Sequence, residues 1–432
     1  MRAQPIGNGH LTARVPAHFA AVLEALQFRG ANAGALRALD DSEWPDVLAL
    51  CDRTKLTLPL ALRAYRGLPG WVTQRLQRNL ADSSDHFRLI QATYIEAASA
   101  LAKAGVPWIV LKGFTQAPDF VASPRFRRQG DIDIYTPREQ VASAVQALKG
   151  IGYVSNEQED YALADHSPTL MRFGEWKRTP NLYDPEVPLC FEVHFCLWNH
   201  AVSMISLPEV ERFWTRRIQR HMGALVFPAL DQVDYFGYFA LHVLREIFGA
   251  GQVAHRALEL ATFLDTRSND ADFWAEWRSM HSPELRQAEV IAMALAVDWF
   301  GAAMPSAVEE EIDSLPAAIR AWIGGCGTSP LVAVDGRTRD GRLLQMLLAR
   351  SSGSRWKILR GALLPGVVAG PQRLAQRPED PTQPQKPRGN RYWTYTAYLA
   401  NRTWLNGLAV LRFIAHGLAL CLSHFTLRRV GP

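Results

Sequence analysis

Two aspartates two residues apart, in the run Gly130-Asp131-Ile132-Asp133-Ile134, have the spacing that points most directly to chemistry. Side chains of an extended strand alternate between faces, so Asp131 and Asp133 project to one side while Ile132 and Ile134 enter a core. Hard divalent cations prefer oxygen ligands, and two carboxylates held this way can share them. The apolar alternation argues for a central strand, where adjacent unpartnered carboxylates are costly without a cation. Glu192 and His194 repeat the spacing within Phe191-Glu192-Val193-His194-Phe195. If the two strands are neighbours, Glu192 becomes a third carboxylate at the same rim and His194 an auxiliary group beside it. The plainer alternatives are a half-exposed surface position for Glu192 and a core histidine bonded to backbone for His194. A third feature is Leu111-Lys112-Gly113 at the end of a short apolar run. Glycine lets backbone come close to a ligand, and amides of the following turn can face phosphate oxygens. Lys112 adds a point charge suited to phosphate, and Arg127 adds a planar fork.

These residues need strands to position them. Val106 to Leu111 is a short β-branched run, the pattern of a buried strand, and Asp131 to Tyr135 is a second. A short helical stretch to about Val121 and a turn-rich segment, Ser123 to Gly130, join them. Thr136-Pro137-Arg138-Glu139 then opens a helix with Thr136 as its cap, ending near Gly150 or Gly152. Further strands are expected from Gly152-Tyr153-Val154, over Thr169 to Phe173 and over Leu189 to Phe195. Residues 17–104 have helical spacing (Phe19, Val22, Leu23, Leu26), with a cap at Asp40 or Asp41, and helices resume from Asp231 to Phe300. His221, His242 and His255 read as packing or cap residues. The expectation is an α+β fold, a small mixed β-sheet core with helical N-terminal and C-terminal flanks. Its stretches are a helical region 1–104, the core 105–200, a helical region 201–364, a linker 365–390 rich in proline, and a basic, apolar C-terminal helix 391–432.

Composition limits the class. The chain has 432 residues, 48% hydrophobic and 21% charged, which excludes a disordered, collagen-like or disulfide-scaffold protein. Five cysteines without C-x-x-C spacing suggest a reducing, cytoplasmic setting, and the N-terminus lacks the pattern of a signal peptide. No G-x-S-x-G elbow, H-E-x-x-H zinc helix or G-x-x-x-x-G-K-[ST] loop occurs. The net charge is +5, yet residues 337–432 hold 16 Lys and Arg against three acids, a local balance of +13. Such a region suits an anionic partner, whether RNA, a lipid surface or an acidic protein, or packs on the acidic body of its own chain. Trp404 to Phe425 is about long enough to cross a bilayer, but Asn406, Arg412, His416 and His424 argue against a transmembrane span and for a buried or interface-lying helix.

Taken in order, Val110-Leu111-Lys112-Gly113, a spacer, Arg127-Arg128-Gln129-Gly130-Asp131-Ile132-Asp133-Ile134 and Glu192-Val193-His194 resemble the uncharacterised bacterial nucleotidyltransferase-like proteins of the polymerase-beta superfamily. The resemblance covers Val106 to Asn199 in its motifs and extends more loosely over Leu241-His242 and Leu258 to Asp265. It implies that Gly113 with Lys112 contacts nucleotide phosphates. It further implies that Asp131, Asp133 and Glu192 bind two Mg²⁺ ions, and that Lys112 and Arg127 neutralise charge on the leaving group. Most members carry Gly-Gly or Gly-Ser where Lys112-Gly113 stands here. The implied activity is metal-dependent nucleotidyl transfer from a nucleoside triphosphate, ATP included, to an unidentified acceptor: a small molecule, a peptide or protein, or RNA. Two alternatives remain, a catalytically silent nucleotide-binding scaffold in a peptide or polysaccharide biosynthetic complex and an RNA-directed transferase that uses the basic tail.

Overall fold

The computed structural model of the chain describes residues 15–364 and 403–421, apart from 65, 156–164, 173, 175, 177, 178, 180, 250, 251 and 334–337. The chain divides into two compact units, one of Met1–Arg245 with Gln252–Ser314, the other of Glu246–Gly251 with Leu315–Pro432. The first unit carries the sheets. Its strands are β1 (Ile109–Val110), β2 (Asp131–Tyr135), β3 (Val154–Ser155), β4 (Leu170–Met171) and β5 (Cys190–His194), in the spatial order β1-β2-β5-β4-β3. β2 and β5 run parallel, with Asp133 opposite Glu192 and Tyr135 opposite His194. β1 flanks β2 antiparallel, and β4 does the same to β5. The sheet is therefore mixed and small, and helices dominate the rest: the α+β class expected from sequence.

One face of the β2–β5 pair is the core. Ile132, Ile134, Phe191 and Val193 bury against Phe87, Ile90 and Tyr94 of the Gly70–Lys103 helix and against Ala144 and Leu148 of the Val141–Lys149 helix. Each large side chain buried this way contributes about 1.5–3 kcal/mol, so a one-residue slip that turned these faces over would be prohibitive. A hairpin of β6 (Ile218–Met222) and β7 (Leu225–Ala229), not anticipated from sequence, closes the β1 edge. The Tyr94 hydroxyl donates to the Val226 carbonyl at 3.0 Å, and Phe114 packs edge-on against both Tyr94 and Phe227 at 5.1 Å. The Gly113 turn is thus anchored by the residue that follows it.

Several local expectations are corrected. Of the run Val106 to Leu111 only Ile109–Val110 pairs as strand. Thr136 does not cap a helix: its Oγ1 donates to the Pro107 carbonyl at 2.7 Å, and a 3-10 turn, Arg138–Gln140, precedes the helix proper. Neither Asp40 nor Asp41 caps the Trp44–Thr54 helix, where Glu43 stands at the cap position and its Oε2 accepts from the Asp40 amide at 3.0 Å. The Glu43 side chain reaches back over the turn, so a cap placed by residue type alone falls two or three residues early.

In the second unit, Thr403–Cys421 is the one helix among the described residues long and apolar enough to cross a membrane by length and composition. It packs through Ala409 and Phe413, and His416 Nδ1 lies 2.9 Å from Asp340 Oδ1, while Trp404, Leu411 and Leu418 remain exposed. The stretch 365–390 and the rest of the tail lie outside the described residues.

Candidate active site

The carboxylate face of β2 and β5 is built by their parallel register. Asp133 and Glu192 are direct neighbours across the strand pair, and Asp131 lies two residues earlier on the same face. Asp133 is the most enclosed of the three. Its Oδ1 receives Lys112 Nζ at 2.8 Å and His194 Nε2 at 2.9 Å, all three side chains being largely buried. Burial alone would raise the Asp133 pKa, but Lys112 and His194 together hold it well below the usual carboxylate range. Asp131 goes the other way, pushed up by burial and by the like charge of Asp133. Its carboxylate has no hydrogen bond or ion pair to any described residue. Glu192 Oε2 lies 3.7 Å from His194 Nε2 and 4.0 Å from His166 Nε2. Asp133, Glu192 and His194 each offer a ligand atom within 4.8 Å of the others.

His194 is not the backbone-bonded core histidine of the plainer reading. Burial opposes its protonation, yet its contacts with Asp133 and Glu192 raise its pKa. Its Nδ1 faces Asp165 Oδ2 at 3.8 Å, beyond hydrogen-bond length, and Arg245 Nη1 holds that carboxylate at 2.5 Å. Burial would raise the Asp165 pKa; His194 and Arg245 lower it. Behind them His242 is buried between Arg245 and Arg256, and burial together with Arg256 keeps it well below its usual pKa. His242 is therefore a packed, neutral acceptor. Asp165, Arg245 and Arg256 lie outside every motif visible in the sequence; only their charge marked them.

The phosphate-facing candidates are held differently. Gly113 has φ +77°, and a Cβ there would lie 2.2 Å from the Gln129 side-chain nitrogen, so both backbone and space demand glycine. Gln129 Nε2 in turn donates to the Asp131 carbonyl at 2.7 Å, which holds its amide in the space beside Gly113. Arg127 Nε donates to Glu259 Oε1 at 2.8 Å, and Gln116 Nε2 to Glu259 Oε2 at 3.2 Å. Glu259, on the Val253–Thr266 helix, thus fastens the Gly113–Gln116 turn and Arg127 to one acceptor. The two Nη groups of Arg127 make no hydrogen bond to a described residue. Lys112 and His194 meet on Asp133, Glu192 lies beside His194, Asp131 shares their face, and Arg127 stands apart on Glu259.

Nothing among curated proteins matches the chain, and nothing among solved structures does. A family model described as an uncharacterised nucleotidyltransferase matches residues 40–301. That match takes in the whole carboxylate face, the Gly113 turn and the helix bearing Glu259, and spans more than half of the chain, which therefore belongs to this nucleotidyltransferase family.

Proposed function

We propose that the protein transfers a nucleotidyl group from a nucleoside triphosphate to an acceptor nucleophile, with Asp131, Asp133 and Glu192 holding two Mg²⁺ ions. The observation that carries this reading is the β2–β5 register, which sets the three carboxylates on one face of adjacent strands. The donor set fits a hard cation. Asp131 is an unpartnered carboxylate whose proton affinity is raised by burial and a like charge, a cost that a divalent ion removes. Such ions would polarise phosphoryl oxygens and lower the pKa of the acceptor nucleophile.

The side chains of the chain itself bind and orient. His194 donates through Nε2 to Asp133 and fixes that carboxylate on the face shared with Glu192. Lys112 neutralises Asp133 in the absence of substrate, and its flexible stem lets the ammonium exchange to phosphate oxygens when a triphosphate enters. Arg127, oriented by Glu259, has its Nη groups left for the outer phosphates. Attack of the acceptor on the α-phosphorus forms the new P–O bond, breaks the bond to the β-phosphate and releases pyrophosphate.

One observation favours a second reading, the silent nucleotide-binding scaffold. The buried Lys112–Asp133 pair already satisfies a carboxylate that the mechanism needs for a cation. Incubating the full chain with α-labelled nucleoside triphosphates, Mg²⁺ and cell extract separates the two. Transfer of label, lost in Glu192→Gln while nucleotide binding is largely kept, supports the enzyme. Equal nucleotide binding by both proteins with no labelling by either supports the scaffold.

A further inference from the structure

A second cavity lies within the first unit, of about 310 Å³, enclosed by the Thr57–Arg63 helix, the segment before β2 and the Val253–Thr266 helix. Its walls are apolar, with Leu58, Phe120, Phe126 and Leu258 among them. Its charged lining is lopsided: Lys55, Arg63, Arg127 and Arg128 against Glu259 alone, and Glu259 is already engaged by Arg127 and Gln116.

Two groups in this cavity are unsatisfied. The Lys55 ammonium forms no ion pair or hydrogen bond with a described residue. Lys55 is also one of two non-glycine residues, among those described, with a left-handed backbone, φ +57°, just past the end of the Trp44–Thr54 helix, where glycine would cost less. His255 is 5% exposed, and neither ring nitrogen meets a partner in hydrogen-bond geometry, the Gln252 backbone alone coming near. Burial and the nearby Arg256 lower its pKa well below the usual value, with only the Gln252 backbone acting the other way. A buried neutral imidazole with no well-formed hydrogen bond and an ammonium with no ion pair, both on the wall of an apolar cavity, are costly unless a ligand completes them. Arg127 and Arg128 line the cavity and lead within a few residues into Asp131 at the start of β2, so the cavity lies at that end of the carboxylate-bearing strand.

We infer that this cavity is the acceptor pocket, and that it selects an acceptor with an apolar body and a single anionic group, a carboxylate or a phosphate monoester, received by Lys55 and His255. A nucleoside triphosphate suits it poorly. The Gly113 turn, to which the resemblance assigns the phosphates, is not part of its wall, and of the phosphate-facing residues only Arg127 reaches it. The acceptor role rests on the transfer reading given above; the binding of an apolar anion does not, and can be measured without any turnover.

The test uses the full chain and three probes of one chain length, octanoate, octyl phosphate and octanol, titrated calorimetrically below their aggregation limits. At least one anionic probe should bind ten times or more tighter than octanol, and whichever does identifies the head group. Lys55→Met should lose at least tenfold of that affinity. Leu62→Trp should also weaken binding, because Leu62 is 42% exposed at the cavity and the larger ring fills the mouth without disturbing the core. A saturating Mg²⁺ nucleoside triphosphate should leave probe affinity unchanged. Failure of all probes to bind, equal binding of octanol, unaltered binding by Lys55→Met, or competition by the nucleotide would each overturn the assignment. Probe binding with the expected variant effects in a protein that transfers no label would leave the cavity as an apolar-anion site and refute the transfer reading alone.

Discussion

Replacing Lys112 by methionine keeps most of the aliphatic stem and deletes the charge on Asp133. The two side chains are only 12% and 4% exposed, and Nζ lies 2.8 Å from Oδ1. Deleting one partner of a buried pair costs about 3–5 kcal/mol, because the other charge stays in a low-dielectric setting. His194 remains 2.9 Å from the same oxygen, so the lower end, about 3 kcal/mol, is expected at pH 7. Urea denaturation of wild type, Lys112→Met and the double variant Lys112→Met/Asp133→Asn measures this, and the double variant should recover most of the loss. The pH dependence has a definite sign. The folded pKa of Asp133 is depressed, so its contribution is present above its unfolded pKa of about 3.9 and is lost as pH falls through the folded value. The gap between wild type and Lys112→Met is therefore full at pH 7 and narrows below about pH 4. Mg²⁺ should stabilise Lys112→Met more than wild type, since the vacated carboxylate can take the ion; at a hundred times its Kd the gain is about 2.7 kcal/mol. A loss under about 1 kcal/mol, or no recovery in the double variant, would refute the idea that Lys112 acts as the countercharge of Asp133.

Asp131→Asn and Asp133→Asn should each lower nucleotidyl transfer at least about a hundredfold, about 2.7 kcal/mol in the transition state, with circular dichroism unchanged. Near-normal turnover in either folded variant rules out metal-assisted transfer at this face. Arg127→Ala, made together with Glu259→Gln so that no buried carboxylate is stranded, should weaken triphosphate binding more than monophosphate binding; equal losses on calorimetric titration would remove Arg127 from the phosphate site. His281, sealed between Asp234 and Glu289, has its pKa raised to about 9, because these carboxylates outweigh the burial that would lower it. Its contribution is complete below the unfolded pKa of about 6.5 and is lost as pH rises through about 9. Thermal melts of wild type should fall over that window while those of His281→Asn stay flat, and parallel curves would show that the imidazole is not ionised in the fold.

The carboxylate face was legible because two-residue alternation is a strong signal. Ile132 and Ile134, like Phe191 and Val193, leave each strand one burial solution, which fixes where Asp131, Asp133, Glu192 and His194 point. Pairing of the two strands was less visible, since they are more than fifty residues apart and only the tertiary fold brings them side by side. The supporting shell was not legible at all. Gln129 reads as one polar residue in a turn, yet it bonds the Asp131 carbonyl and fills the space that a side chain at position 113 would need. Asp165, Arg245 and Glu259 act across 80 or more residues of chain, on the far side of contacts that no periodicity encodes. Local side-chain competition explains the misplaced caps: Thr136 had a nearby carbonyl, that of Pro107, and Glu43 had the Asp40 amide.

The charge balance of the face bears on the order in which ligands enter. Asp131, Asp133, Glu192 and Asp165 are opposed by Lys112, Arg245 and, when protonated, His194, so the cluster is within one charge of neutral without any bound ion. A bare divalent cation would have to displace Lys112 from Asp133 and leave the ammonium unpaired in a largely buried setting. Its net gain is then small, because one buried ion contact is exchanged for another. A cation that arrives with a triphosphate changes this balance, since the incoming phosphate oxygens accept the displaced ammonium and the Nη groups of Arg127 at the same moment. Under the proposed reading the Lys112–Asp133 pair would therefore disfavour the metal alone and favour the metal–nucleotide complex. On this reasoning Lys112 does not argue against a cation site; it would couple occupancy of such a site to the presence of the nucleotide.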